Sequence, residues 1–337
     1  MATASKRLLG PLLKEVSRSF YLTLRVLPAR IRPQIGLAYL LARTTDTIAD
    51  TNLVSLELRL DALRALGQKI LGLRPAKLDF GPLAARQSTS AERVLLEEHE
   101  SSLQLLETLA ETDRKLIQET LSIIISGQEL DLRRFAGSSA THVIALQTEE
   151  ELDDYTYRVA GCVGEFWTRI CRAHLFPNAK LDDNWLLAQG VRFGKGLQLV
   201  NILRDLAADL RLGRCYLPWA RLAAAGLTPE HLLQPETEPR LRPLYNNYLG
   251  QARDHLMAGW SYTNALPRHS MRIRLACAWP ILIGLQTIER LRVANVLDQE
   301  NRVKISRTEV KKWIWRSIIY YPWPRKWRDL AQQAGPH

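Results

Sequence analysis

The spacing of apolar residues constrains this chain more than any other feature. Over Leu53–Leu71, Ala91–Gly127, Glu149–His174 and Leu244–Asn264 they recur at three- and four-residue steps, the period of an amphipathic helix. Alternating apolar and polar runs are nearly absent, so a sheet has little to form from, and an all-α fold is expected. Helix starts are marked. Thr148 with Glu151 has the capping-box spacing, and Thr228-Pro229-Glu230 places proline at a first helical position. The breaks at 74–90, 135–142, 210–218 and 234–243 are short and rich in glycine, proline or small polar residues. None has the length or bias of a linker. One helical domain over 1–310 with a tail at 311–337 is therefore expected, although 337 residues alone would suggest two domains.

The tail matters because of charge. The chain carries 46 Lys and Arg against 35 Asp and Glu, a net +11. Such a balance points to nucleic acid, an anionic membrane surface or an anionic substrate. The excess is local: residues 301–337 hold nine basic and two acidic side chains, with four of the nine tryptophans, Trp313, Trp315, Trp323 and Trp327. Cys162, Cys171, Cys215 and Cys277 lack metal-site spacing and read as core thiols in a reducing compartment. The seven scattered histidines read as structural or surface residues. The longest apolar run, Leu275–Leu285, is too short to cross a bilayer. A cytoplasmic monomer is expected.

Two stretches break the helical pattern with charge. Gln34–Ala49 followed by Asp50, and Gly196–Leu210, are mostly apolar, yet each carries an acidic pair four residues apart. The first has Asp46 and Asp50 with Arg43. The second has Asp205 and Asp209 with Arg204, preceded by Gln198 and Asn201. On a helix, such spacings share a face. A buried charge is costly unless paired or bound to metal. Mg²⁺ prefers oxygen ligands and is held by one or two carboxylates plus substrate phosphates; arginines add bidentate contacts to phosphate. The pattern therefore suits Mg²⁺-bridged diphosphate binding. Salt bridges on a solvated face are the plainer reading, which the apolar surroundings and the repetition weaken.

A third stretch, Tyr155–Gly164, sets Ala160, Gly161 and Gly164 at helical spacing. Glycine inside a helix costs about 1 kcal/mol relative to alanine, so something close must need the room. Tight helix packing and a substrate chain against bare backbone, beside a kink, both fit.

These residues resemble the squalene and phytoene synthase family. Ser17-Arg18-Ser19-Phe20 and Arg43 through Asp50 are similar to its opening motifs. Tyr155–Gly164 resembles its tyrosine–valine–alanine–glycine segment, Gln198–Asp209 its second aspartate motif, and Gly213–Pro218 the turn that follows. The resemblance covers roughly 10–310 in order. Within the family, Ala276–Pro280, Asn295–Asp298 and Val303-Lys304-Ile305-Ser306 resemble the squalene synthase end. Ser306 departs from it, standing where that segment has a basic residue.

The resemblance implies a single-domain, all-α isoprenoid synthase bundle around a central cavity. It implies Mg²⁺ on Asp46, Asp50, Asn201, Asp205 and Asp209. Diphosphate contacts would come from Ser17, Ser19, Tyr39, Arg43, Gln198, Asn201, Arg204 and Arg214. Tyr155 would sit at the reacting centre, and Val159, Ala160, Gly161 and Gly164 would line the cavity. Lys304 and Arg307 become NADPH contacts, with no glycine-rich dinucleotide motif to support them. The implied reaction joins two farnesyl diphosphates head to head through presqualene diphosphate, and NADPH reduces that to squalene. The alternatives are phytoene or dehydrosqualene, a stop at presqualene diphosphate, or hydroxysqualene. The basic, Trp-rich tail is then expected to meet an anionic membrane surface, peripherally on the inner face, rather than nucleic acid.

Overall fold

Helices form where the apolar period predicts them, and their ends show the local chemistry that stops them. The computed structural model describes residues 7–17, 20–51, 54–73, 79–300 and 302–335. Its backbone is predominantly helical, as expected. Among the described residues the only named strands are two-residue ones, Ile144–Ala145 (β1) and Arg214–Cys215 (β2), which pair in parallel.

The chain groups into two compact units. The first holds residues 1–133 and 166–177, the second 134–165 and 178–337.

In the first unit, α1 (Arg32–Asp50) buries Leu37, Leu40, Leu41 and Ile48 completely. It packs on α2 (Leu56–Ile70) and on the short helices Ser90–Glu97 and His99–Glu107. Ser55 caps α2 by accepting a hydrogen bond from the Leu58 N–H. The expected continuous helix over 91–127 is instead three, ending in α3 (Glu111–Arg134). The breaks coincide with side chains bonding to backbone: the His99 Nδ1 lies 2.6 Å from the Leu96 carbonyl, and the Thr108 hydroxyl donates to the Leu105 carbonyl. Such bonds compete with the helical ladder.

In the second unit, α4 (Glu149–Thr156) starts at Thr148, whose hydroxyl accepts from the Glu151 N–H. The return bond goes one residue further back than the capping box predicts, since Glu151 accepts from the Gln147 N–H. A π-helical turn, Tyr157–Gly161, joins α4 to α5 (Cys162–His174), whose last residues belong to the first unit. The expected kink is therefore an inserted residue, the usual origin of a π turn. The long α6 (Asp183–Arg211) packs on this turn and on α7 (Glu238–Ala265) and α8 (Met271–Val293). The start predicted at Thr228 leads only into a 3₁₀ turn, Glu230–Leu233. Helix α9 (Arg307–Tyr320) runs through residue 310, where the sequence reading divides body from tail; it packs on α8, as does Leu330–Ala334. Among the described residues, no helix is long and apolar enough to cross a membrane. All four cysteines are buried and unpaired by disulfides.

Candidate active site

Both acidic pairs lie at the C-terminal ends of their helices. Asp50 is the last residue of α1, and Asp209 lies two before the end of α6. A helix C-terminus carries partial negative charge, the wrong partner for a carboxylate, by about 0.3–1 kcal/mol. Each end thus gathers two carboxylates onto its own negative dipole. This placement calls for cations.

In the first unit, threonines shape that end of α1. Thr44, Thr47 and Thr51 donate their hydroxyls to the carbonyls of Leu40, Arg43 and Thr47, at 2.9, 2.8 and 2.6 Å. This lets them be buried in an apolar face without an orphaned oxygen. Arg59 donates to the Ala49 carbonyl at 3.0 Å, closing the helix end. Asp46 accepts from the Gln128 amide at 2.6 Å, while the nearest Arg43 nitrogen stands 4.0 Å away. Arg43 turns instead to Glu92, at 2.7 Å. Crowding by protein and the neighbouring Asp50 charge outweigh Arg43 and Gln128, and raise the Asp46 pKa to about 6. Its side chain still keeps 47% of its surface open, so this is a crowded recess rather than a sealed core. Asp50 is exposed.

Ser17 and Tyr39 stand near one another. The Ser17 hydroxyl is buried and donates to the Leu13 carbonyl at 2.5 Å. Tyr39 donates to the Val16 carbonyl at 3.4 Å, with its ring stacked on Phe20. Ser19 lies outside the described residues.

In the second unit, Asp205 is held by two guanidinium groups. Arg204 grips it bidentately at 2.9 and 2.7 Å, and Arg302 donates Nε at 3.0 Å and a second nitrogen, both to Oδ1. Burial would raise the Asp205 pKa, but the two arginines outweigh it and hold the carboxyl below its usual range. The two pairs are thus electrostatically unlike: Asp46 is short of positive charge and Asp205 is saturated with it. Asn201 is exposed, and Gln198 and Asp209 are partly so, all on α6. Beside Arg204 and Arg302 lies a small recess of about 30 Å³, also lined by Asn295, Asp298 and Gln299. Lys304 and Arg307 do not line it; both are exposed. Ser306, the departure noted above, caps α9 in a reciprocal box with Glu309. A basic residue there could not make that cap.

Tyr155 stacks on Tyr216 with ring centres 4.7 Å apart, and Tyr216 meets Phe135 edge-on at 5.3 Å. The Arg214 guanidinium lies 6.0 Å from the Phe135 ring centre. Gly213 precedes it at φ +77°, and a Cβ there would fall 2.5 Å from the Ser139 nitrogen, so only glycine makes this turn. The glycines expected beside a substrate have a nearer reason to be small. A Cβ on Gly164 would lie 1.9 Å from the Gly190 carbonyl oxygen, and one on Gly194 2.1 Å from that of Ala160. Helix–helix contact therefore accounts for Gly164, and Gly161 is buried against Val191 and Lys195. Val159 and Ala160 remain partly exposed.

The donor sets suit a hard cation. Each is a carboxylate pair at a negative helix end, too few ligands for an all-protein cage; among the described residues no group of three or more His, Cys, Asp or Glu is placed to hold a metal. Phosphate oxygens would have to complete the coordination, as Mg²⁺ sites commonly require. Sequence reasoning missed Gln128, Glu92 and Arg302, whose partners are 82, 49 and 97 positions away. Only Glu92 left a local trace, as the third residue after the cap Thr89.

Comparison with known proteins identifies the family. A bifunctional lycopene cyclase/phytoene synthase of Leptosphaeria maculans is 27% identical over 91% of this chain and 50% of its own length. A squalene synthase of Saccharomyces cerevisiae is 28% identical over 82% of this chain and 59% of its own. The chain spans about half the length of these curated relatives. A solved structure of TcSQS with a bound ligand superposes with a TM-score of 0.77 at 20% identity, covering 98% of this chain and 90% of that one. Residues 13–309 match the squalene/phytoene synthase family as a whole, and with the two aspartate pairs in order on their helices, the chain belongs to that family.

Proposed function

We propose that this chain is a Mg²⁺-dependent prenyltransferase that joins two farnesyl diphosphates head to head, through presqualene diphosphate, and reduces the product to squalene with NADPH. One observation carries the reading: two carboxylate pairs, each at the negative end of a largely apolar helix and each with arginine beside it. Mg²⁺ held by Asp46, Asp50, Asn201, Asp205 and Asp209 would supply the charge that stabilises a departing diphosphate. Arg43, Arg204 and Arg214 would bind the phosphate oxygens, with Ser17, Ser19, Tyr39 and Gln198 supporting them. Tyr155, fixed by its stack on Tyr216, would offer a ring face to an allylic cation or a hydroxyl to a proton. Apolar helices would keep water from quenching that cation.

The NADPH assignment to Lys304 and Arg307 rests on resemblance alone. A second reading, in which the product is phytoene or dehydrosqualene, draws on the phytoene synthases among the relatives; presqualene diphosphate or hydroxysqualene as end product belongs with it. Product analysis separates these. Farnesyl diphosphate and Mg²⁺, with and without NADPH, should give squalene only with NADPH. Dehydrosqualene or hydroxysqualene under both conditions would replace the first reading, and turnover only with geranylgeranyl diphosphate would favour phytoene. The apolar product gives the chain reason to work at a membrane face, peripherally and on the inner side.

A further inference from the structure

The tail is fastened along one side. Trp313 donates its indole N–H to Gln286 at 2.5 Å, Trp279 of α8 donates to the Ser317 hydroxyl at 2.9 Å, and Trp327 donates to Asn264 at 2.8 Å. The Arg274 guanidinium lies 5.4 Å from the Tyr321 ring centre and 5.3 Å from that of Trp327, which also stacks on Trp260. Trp313, Ser317, Trp327 and Leu330 are buried by these contacts.

The other side faces water. Trp315, Ile319 and Trp323 are 63, 54 and 52% exposed. Lys311 and Lys312 lie four and three residues before Trp315, and Ile319 lies four after it on α9, so they share a face. The Lys326 ammonium lies over the Trp323 ring, 5.5 Å from its centre, and Arg325 and Arg328 are exposed nearby. Of the acids in 307–335, Glu309 is engaged by Arg290 and the α9 cap, leaving Asp329. Large apolar side chains set among lysines, on a helix already locked to the core, match the bilayer interface. There indole rings sit at headgroup depth and lysine stems reach the phosphates.

We propose that the exposed face of α9, Lys311, Lys312, Trp315 and Ile319, together with the exposed Trp323 and Lys326 that follow it, seats the chain on an anionic lipid bilayer. This deepens the peripheral attachment proposed above and is independent of the reaction product. The test uses the full chain, since cutting at 310 would remove the buried Trp313 and Trp327. Vesicles of phosphatidylcholine alone are compared with vesicles containing a third phosphatidylglycerol. The parent should float with the anionic vesicles only, less as salt rises, and its tryptophan emission should shift to the blue. Lys311→Gln/Lys312→Gln/Lys326→Gln should lower partition about a hundredfold. Trp315→Ser/Ile319→Ser should lose most of the emission shift. Both variants should keep the parent's melting temperature. Equal flotation of parent and lysine variant, equal binding to neutral vesicles, or binding to RNA but not to vesicles would overturn the proposal. No substrate is present, so failure here leaves the coupling reaction standing, and a negative product assay leaves vesicle binding standing.

Discussion

Replacing Asp46 with Asn tests whether the first acidic pair is strained without its cation. Asn keeps an oxygen for the Gln128 amide, 2.6 Å away in the parent, and removes only the charge. A carboxyl whose pKa rises from 3.8 to about 6 on folding favours the folded state when protonated. Its ionisation therefore erodes stability as pH climbs from about 4 to about 6 and leaves it flat above. That displacement corresponds to about 3 kcal/mol at most. With 47% of the side chain open to water, screening reduces this to about 1 kcal/mol. Asp46→Asn should thus melt about 2 °C higher than the parent at pH 7.5 without metal, and match it below pH 4. Mg²⁺ with pyrophosphate should raise the parent's melting temperature and leave the variant's nearly unchanged. A variant less stable than the parent at pH 7.5, or one that responds fully to Mg²⁺ and pyrophosphate, would refute the reasoning.

Other substitutions probe the remaining parts. Gly164→Ala would put a Cβ 1.9 Å from the Gly190 carbonyl oxygen and should cost about 3 kcal/mol or more, whereas Gly250→Ala in α7 meets nothing within 4 Å and should stabilise by about 0.5–1 kcal/mol; urea titration compares them. Arg302→Gln removes one partner of Asp205 but from a half-exposed pair, so its cost should stay below about 1 kcal/mol at pH 7. Because the folded Asp205 pKa is lowered, that cost should be full above about pH 4 and shrink as pH falls below it through the folded pKa, which unfolding followed from pH 7 down into acid would reveal. Trp327→Ala should cost about 3–5 kcal/mol by calorimetry, since the ring is buried against Trp260 and Arg274 and its N–H is bonded to Asn264.

Much of the candidate site was legible because its signals are local. An acidic pair four residues apart declares a shared helix face wherever the helix sits, and Asp46–Asp50 and Asp205–Asp209 were found in that way. The Tyr155–Gly164 segment showed that space was scarce, but not what filled it: the Gly190 backbone lies 26 residues along the chain and enters only through packing. The tail's composition announced a basic, aromatic element. It could not say that Trp313 and Trp327 turn inward while Trp315 and Trp323 face water, because Gln286 and Asn264, which receive Trp313 and Trp327, lie on other helices.

By itself, then, the sequence determined the helical class and the position of each acidic pair on its helix, since both depend on residues within a few positions of one another. Tertiary structure decided the electrostatics. Arg302 reaches Asp205 from 97 residues away, while Arg43 is drawn off to Glu92 and leaves Asp46 with Gln128. Two motifs with the same aspartate spacing thereby acquire opposite charge balance, because a carboxylate's pKa is set by whatever the fold brings within a few ångströms of it, and sequence separation places no limit on that.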